Sequence, residues 1–332
     1  MNKPQLHLAA EALAPQPPII EVVQGLISEG SVSVIAGEGG DGKTWSLLDL
    51  GVCVAAGDSW LQTRKTIQGN VLFVDEESGL TRFNLRLQKV MNGHGVDASL
   101  PFFYTSLSLF NLMKKADLQE LENLIGGYSI KLTVIDAFMD VTPGADENAV
   151  KDIAPVMQGL RRIAEKTKCA IMIIHHNNKA GSYRGSTAIK GAVDNLISVK
   201  KTGDVVTFRS EKVRDTEPFE FSAKMHFETD KFTMGSTQQI KFGIAQEYVI
   251  RFIGKNGNSA MSDIKANAVG CQPDAARVAI TGLVKLGFLM RTNPGGPGAE
   301  GFYDLTDDGK LIALERNWPL NDPWFAADHA NL

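Results

Sequence analysis

No apolar run in these 332 residues approaches the length of a membrane span, so no spanning helix and no membrane partner are expected. Cysteine is scarce. Cys53, Cys169 and Cys271 stand apart, with no CxxC pair and no framework spacing. That excludes a disulfide-stapled scaffold and fits buried thiols in a reducing cytoplasm. The N-terminus lacks a basic segment followed by an apolar block, so no secretory leader is expected. Positive charge is not in excess either: 34 Lys and Arg face 38 Asp and Glu, a net charge of −4. Any contact with nucleic acid must therefore come from local patches. No internal repeat or low-complexity tract occurs. What is present is an ordinary globular composition, 43% hydrophobic and 22% charged. The length suits one large domain and a smaller one.

Residues 1–18 carry little pattern and end in Ala14-Pro15-Gln16-Pro17-Pro18. Proline removes donors and favours extended backbone, so these residues read as a lead-in arm. From Ile19 onward, short apolar strands alternate with helical stretches, which predicts an α/β fold with a mostly parallel sheet flanked by helices. Strands are expected at 32–36, 71–75, 102–105, 132–136, 170–175, 195–199 and 205–210, and a hairpin at 219–234. Helices are expected at 43–55, 80–91, 116–124 and 148–166. Near 237–239 the pattern changes to three short helical periods, at 245–253, 261–268 and 273–286, followed by two strand-like segments around a Gly/Pro-rich tip. This gives an arm at 1–18, an α/β domain at 19–238, a small α+β domain at 239–318 and a tail at 319–332.

The octapeptide Gly37-Glu38-Gly39-Gly40-Asp41-Gly42-Lys43-Thr44 fits the phosphate-loop pattern G-x-x-x-x-G-K-[ST] without mismatch. Its glycines let the backbone turn sharply and aim N–H groups at an anion, next to a helix N-terminus. Lys43 would supply charge to the β- and γ-phosphates of ATP, and the Thr44 hydroxyl would ligate Mg²⁺. Asp41 is an oddity, since an acid beside phosphate repels it unless the side chain turns away. Trp45, which completes the expected nucleotide site, is bulkier than the position suggests. A second magnesium anchor is offered by the run Leu132-Thr133-Val134-Ile135-Asp136, an apolar strand ending in a carboxylate. Asp75-Glu76-Glu77 closes another strand at the end where open α/β sheets bind ligands, and one of the three could activate a water.

The segments 37–44, 71–87, 132–148, 171–186 and 212–214 occur in the order found in hexameric RecA-type ATPases. They most resemble the RepA-type plasmid replicative helicases, relatives of the DnaB helicases, over roughly residues 19–235. The resemblance implies a ring-forming ATP-driven DNA helicase or translocase of a plasmid, phage or mobile element. It makes Glu77 the general base and His176 the γ-phosphate sensor. It makes Lys212 and Arg214 a K-x-R pair that reaches a neighbour's γ-phosphate, so that active sites are shared in a homo-oligomer, expected to be a hexamer. Arg86 follows the general base and is expected to form a helix-surface salt bridge. Channel loops for single-stranded DNA would follow the Asp136 and His176 strands. The second of these carries Lys179, Tyr183 and Arg184, cations flanking an aromatic, which suits phosphate contact and base stacking. The first contains Gly144-Ala145-Asp146-Glu147-Asn148, whose acids oppose DNA contact and suit a helix cap.

Three helices and a hairpin, closed by Leu305-Thr306-Asp307-Asp308-Gly309-Lys310, resemble a winged helix. Its third helix would present Arg277 and Lys285 to duplex DNA. Across residues 240–316, nine Lys and Arg barely exceed eight Asp and Glu, so strong duplex affinity is not expected and a protein-docking role is nearly as well supported. A non-unwinding ATPase switch that assembles or loads partners through this domain is the alternative to a helicase.

Overall fold

The computed structural model of the chain describes residues 6–147, 149–176, 187–214, 216–236, 242–268, 270–293, 299–316 and 318–322. Contacts divide it into two compact units, residues 1–238 and 239–332. In the first unit the order is α1 (Ala9–Ala12), β1 (Glu21–Val23), β2 (Ile27–Ser28), β3 (Val32–Gly37), α2 (Lys43–Ala56), β4 (Asn70–Asp75), α3 (Leu80–His94), β5 (Phe102–Ser106), α4 (Lys115–Gly127), β6 (Ile130–Asp136), α5 (Val150–Thr167), β7 (Ala170–His176), α6 (Thr187–Ala192), β8 (Asn195–Thr202), β9 (Val205–Lys212), β10 (Glu220–Phe227) and β11 (Phe232–Ser236).

Nine strands form one sheet in the order β11-β10-β9-β8-β3-β7-β6-β4-β5. From β8 to β5 every neighbouring pair is parallel, and β9, β10 and β11 extend the sheet by antiparallel pairing. This is the RecA-like α/β architecture that the strand–helix alternation and the resemblance implied. The parallel strands are apolar along their whole length because both faces are covered. In β4, Val71 and Phe73 join the core on the α2 and α3 side, while Leu72 and Val74 join the opposite core with α4 and α5. β7 does the same, with Met172 and Ile174 on one face and Ile171 and Ile173 on the other. Each fully buried Val, Leu or Phe in these layers is worth about 1.5–3 kcal/mol relative to exposure.

Register decides what the sheet presents at its edge. Gly37 pairs with His176 and Asp75 with Asp136, and β7 and β6 are neighbours. The carboxyl ends of β3, β7, β6 and β4 therefore meet at one side of the sheet. α4 and α5 are connected to the strands across the opposite face, as right-handed crossovers require.

The second unit holds α7 (Ile244–Asn256), β12 (Ser259–Ala260), α8 (Met261–Ala266), α9 (Pro273–Leu286), β13 (Leu289–Arg291), β14 (Phe302–Leu305) and α10 (Asp307–Glu315). α9 starts with Pro273 in its first turn and stops at Gly287, whose φ of 86° is the left-handed geometry of a helix end. Three antiparallel strands in the order β12-β14-β13 accompany the helices. Val249, Ile253, Ile264, Ile280, Leu283 and Leu305 build a separate core. α10 was not anticipated from the sequence; Thr306 caps it, its hydroxyl accepting from Gly309 N at 3.2 Å. None of the described helices is long and apolar enough to cross a membrane.

Candidate nucleotide site

The turn between β3 and α2 is held open by conformations that need glycine. Gly40 and Gly42 have φ of 91° and 80°. A Cβ on Gly37 would come within 2.6 Å of the Val199 carbonyl on β8. Asp41 does turn away from the cradle: its carboxylate accepts from Glu38 N at 2.7 Å and from Lys201 N on β8 at 3.1 Å. The acid thus fastens the loop to the sheet. Trp45 also points elsewhere. Its ring packs on Phe227 and Phe232, with centroids 5.1 and 4.8 Å away, so its contribution at the loop is backbone.

Lys43 is buried, and its ammonium donates to the carbonyls of Gly37 at 2.9 Å and Glu38 at 2.7 Å. Burial lowers its pKa, against the opposing pull of Asp41, Asp136, Glu77 and Glu38. The Thr44 hydroxyl donates to Asp136 Oδ2 at 2.7 Å. Asp136 Oδ1 is buried and has no hydrogen-bond partner among the described residues. Burial first, then the nearby charges of Glu77 and Asp75, push the Asp136 carboxyl up to about 7, with the Thr44 hydrogen bond acting the other way. A hydroxyl and an unsatisfied carboxylate oxygen side by side are the donors a hard divalent cation such as Mg²⁺ takes. A cation there would oppose the shift by stabilising the buried carboxylate.

The three acids at the end of β4 separate by role. Asp75 accepts from Ser78 N, Gly79 N and Ser106 Oγ at 2.9, 3.1 and 2.8 Å, so it shapes the entry to α3. Glu76 accepts from the backbone N–H groups of Ser108, Leu109 and Phe110, at 3.0, 2.9 and 3.5 Å. It holds a loop in which Leu107 and Leu109 adopt positive φ. Glu77 faces the phosphate loop instead, with Oε2 3.3 Å from His176 Nε2. The hydrogen bond to His176 is the main reason its pKa is lowered, with Lys43 adding to it. Glu77 is therefore ionised at neutral pH. The adjacent His175 is a different histidine: buried, 3.5 Å from Glu147, and pushed down to about 4 by burial and by the His176 and Lys43 charges.

Lys212 and Arg214 lie elsewhere. Leu196 pairs with Lys212, and Asn195 with Ser33, so they sit at the strand-entry end of β3, opposite the phosphate loop. At about 3.3 Å per residue, a strand's length separates the two places. Lys212 donates to the carbonyls of Lys190 and Val193, both at 2.7 Å. Arg214 donates to Asp194 at 2.9 Å. Asp194, unremarked in the sequence, also accepts from Arg161 at 2.8 Å and from Val32 N at 2.9 Å. Its place just before an apolar strand was the available signal. Arg86 forms a hydrogen bond with Ser78 Oγ at 2.8 Å and lies over Trp45, so the expected salt bridge is replaced by a neutral contact. In the stretch after β6, Phe138 and Val141 are buried in the core, which anchors much of the first expected DNA loop. The helix after it begins at Val150 with Ala149 as an N-cap that makes no side-chain cap, and Asn148 lies outside the described residues. Lys179, Tyr183 and Arg184 also lie outside the described residues, as does the side chain of Lys285. Arg277 is exposed on α9.

A family model described as AAA domain matches residues 3–182, more than half of the chain. Over 181 residues, 53% of the chain, the sequence is 24% identical to the DNA repair protein RadA of Halalkalibacterium halodurans. That match spans 34% of RadA, so the chain covers about a third of the length of this relative.

Proposed function

Since the chain belongs to the AAA domain family and carries a phosphate loop on a RecA-like fold, we propose that it is an ATP-hydrolysing motor that forms a ring and moves along single-stranded DNA. One observation carries the ATPase reading. Lys43, the Thr44–Asp136 pair and the Glu77–His176 pair converge where four strands end.

A Mg²⁺ ion held at this site would supply positive charge to the phosphates. The backbone N–H groups of 38–44 cradle the phosphates, and Lys43 exchanges its two carbonyl partners for phosphate oxygens. Thr44 and Asp136 would hold that cation. Glu77, already ionised, orients the attacking water and accepts its proton. His176, hydrogen-bonded to Glu77, registers loss of the γ-phosphate. Lys212 and Arg214 lie far from their own phosphate loop, which is the placement that action on a neighbour's ATP would require. An arginine supplied that way is worth about 10³–10⁵ in rate.

DNA as the track is supported by the resemblance to RepA-type helicases and by likeness to a protein named for DNA repair. The second unit has four helices and three short strands, and the run α7, α8, α9 followed by the β13–β14 hairpin supports a winged helix that docks duplex DNA through Arg277 and Lys285, or a protein. A cytoplasmic setting accords with unpaired cysteines. The test is the ATPase rate with and without single-stranded DNA, alongside native mass. Stimulation in a species of several subunits supports the motor. A monomer indifferent to DNA overturns it. One observation favours the non-unwinding switch as a second reading: Lys212 and Arg214 are both engaged within their own protomer. That reading expects nucleotide-dependent DNA binding without strand separation.

A further inference from the structure

Behind the phosphate loop, three potential ligands meet between two helices. Asp49 and Cys53 lie four residues apart on α2 and so share a face. His94 is the last residue of α3. Asp49 Oδ1 is 2.8 Å from His94 Nε2, and Cys53 Sγ is 4.0 Å from that same nitrogen. One ligand atom from each residue lies within 4.8 Å of the others. Asp49 is fully buried, Cys53 nearly so, and His94 keeps 18% of its side chain exposed. We propose that Asp49, Cys53 and His94 form a binding site for a thiophilic divalent cation of the zinc class, tying α2 to α3.

The donor set is one carboxylate oxygen, one sulfur and one imidazole nitrogen, the mixture zinc accepts. Zinc bonds of about 2.0–2.3 Å place tetrahedral donors roughly 3.3–3.8 Å apart, so side-chain adjustments of about half an ångström to one ångström convert the present arrangement. Charge also balances. A dication with a carboxylate, a thiolate and a neutral imidazole sums to zero, which a buried site requires. Asp49 Oδ2 accepts from Trp60 Nε1 at 3.0 Å, an outer contact that orients the carboxylate as supporting hydrogen bonds do around metals. Asp58, two residues past the end of α2, adds negative potential at both Cys53 and His94. Burial holds the Cys53 thiol protonated in the metal-free protein. Binding therefore replaces the Sγ proton, which goes to solvent, and takes His94 as neutral imidazole through Nε2: from the imidazolium paired with Asp49 the Nε2 proton also goes to solvent, and from the neutral ring it moves to Nδ1. The consequence is mechanical: α2 opens with Lys43 and Thr44, and α3 follows Glu77.

The test uses the full chain, stripped by chelator and free of nucleotide, titrated with Co²⁺ and then Zn²⁺. The expected result is a near-ultraviolet thiolate-to-cobalt band that saturates at one equivalent and is displaced by Zn²⁺. Cys53→Ser and His94→Gln should abolish it, Cys271→Ser should leave it intact, and Trp60→Phe should weaken binding about 10–100-fold. Cobalt at the Glu77, Asp136 and His176 cluster gives no such band, because no thiol is there. Zinc absorption spectroscopy on the unsubstituted protein needs no variant and should find a sulfur neighbour at about 2.3 Å. Absence of that sulfur shell, or a cobalt band that survives Cys53→Ser, overturns the site and leaves Asp49 and His94 as a buried proton-sharing pair.

Discussion

Asp75, Glu76 and Glu77 are adjacent and chemically alike, yet their surroundings give each a different task. Two are consumed by backbone N–H groups and a hydroxyl, and the third is left facing Lys43 and His176. Glu77→Gln should therefore keep ATP binding and lower turnover by about 10²–10⁴, the range for loss of a general base. A single-turnover assay checks this, and normal hydrolysis by the variant would remove Glu77 from the mechanism. Glu76→Gln should instead reduce thermal stability, since it weakens the charged acceptor of three N–H groups. His175 gives a pH prediction. Its folded value of about 4 lies below the ordinary 6.5, so as pH falls the unfolded chain takes the proton first. Stability should fall from pH 6.5 toward 4 by up to roughly 3 kcal/mol from this group. His175→Gln should flatten that part of the profile, read as denaturation midpoints of both proteins across the range. From the sequence, only the resemblance set His176 apart from its neighbour His175. Burial of one and exposure of the other separates them.

Among elements, β3, the loop and α2 were readable because a six-residue apolar strand, a glycine-rich octapeptide and an apolar helix each carry a local signal. The short hairpin of β1 and β2, and α6, went unread because two to six residues are too few to express a period. Packing separates the loop's glycines where the motif does not. A methyl at Gly37 meets a backbone carbonyl of β8 at 2.6 Å, whereas one at Gly39 meets nothing within 4 Å. Gly37→Ala should cost about 1–3 kcal/mol, as overpacking against backbone does, and Gly39→Ala well under 1 kcal/mol. Thermal melting of the two variants without nucleotide tests the difference, and equal melting temperatures would contradict it. Asp194 works at this scale as well. It links the first residue of β3 to Arg161 and Arg214, so the strand that ends in the phosphate loop begins at the anchor of the candidate trans-acting arginine.

For the molecule as a whole, a shared active site makes a prediction that no single protomer can express. Lys43→Ala should abolish ATP binding, and Arg214→Ala should abolish turnover while sparing binding. Mixing the two inactive proteins should restore a minority of the activity, because some interfaces then pair an intact phosphate loop with an intact arginine. Assemblies that form but show no recovery in a steady-state ATPase assay would rule out sharing. The sequence by itself determined the phosphate loop, the alternation of strand and helix, and the identity of the residues able to do phosphate chemistry. Those features are written in neighbouring residues through glycine conformations and hydrophobic period. Only the tertiary structure decided what occupies Asp75 and Glu76, where Asp41 and Trp45 turn, and that Lys212 and Arg214 stand at the far end of β3. These depend on strand order and register, which join residues scores of positions apart and leave no local trace in the chain.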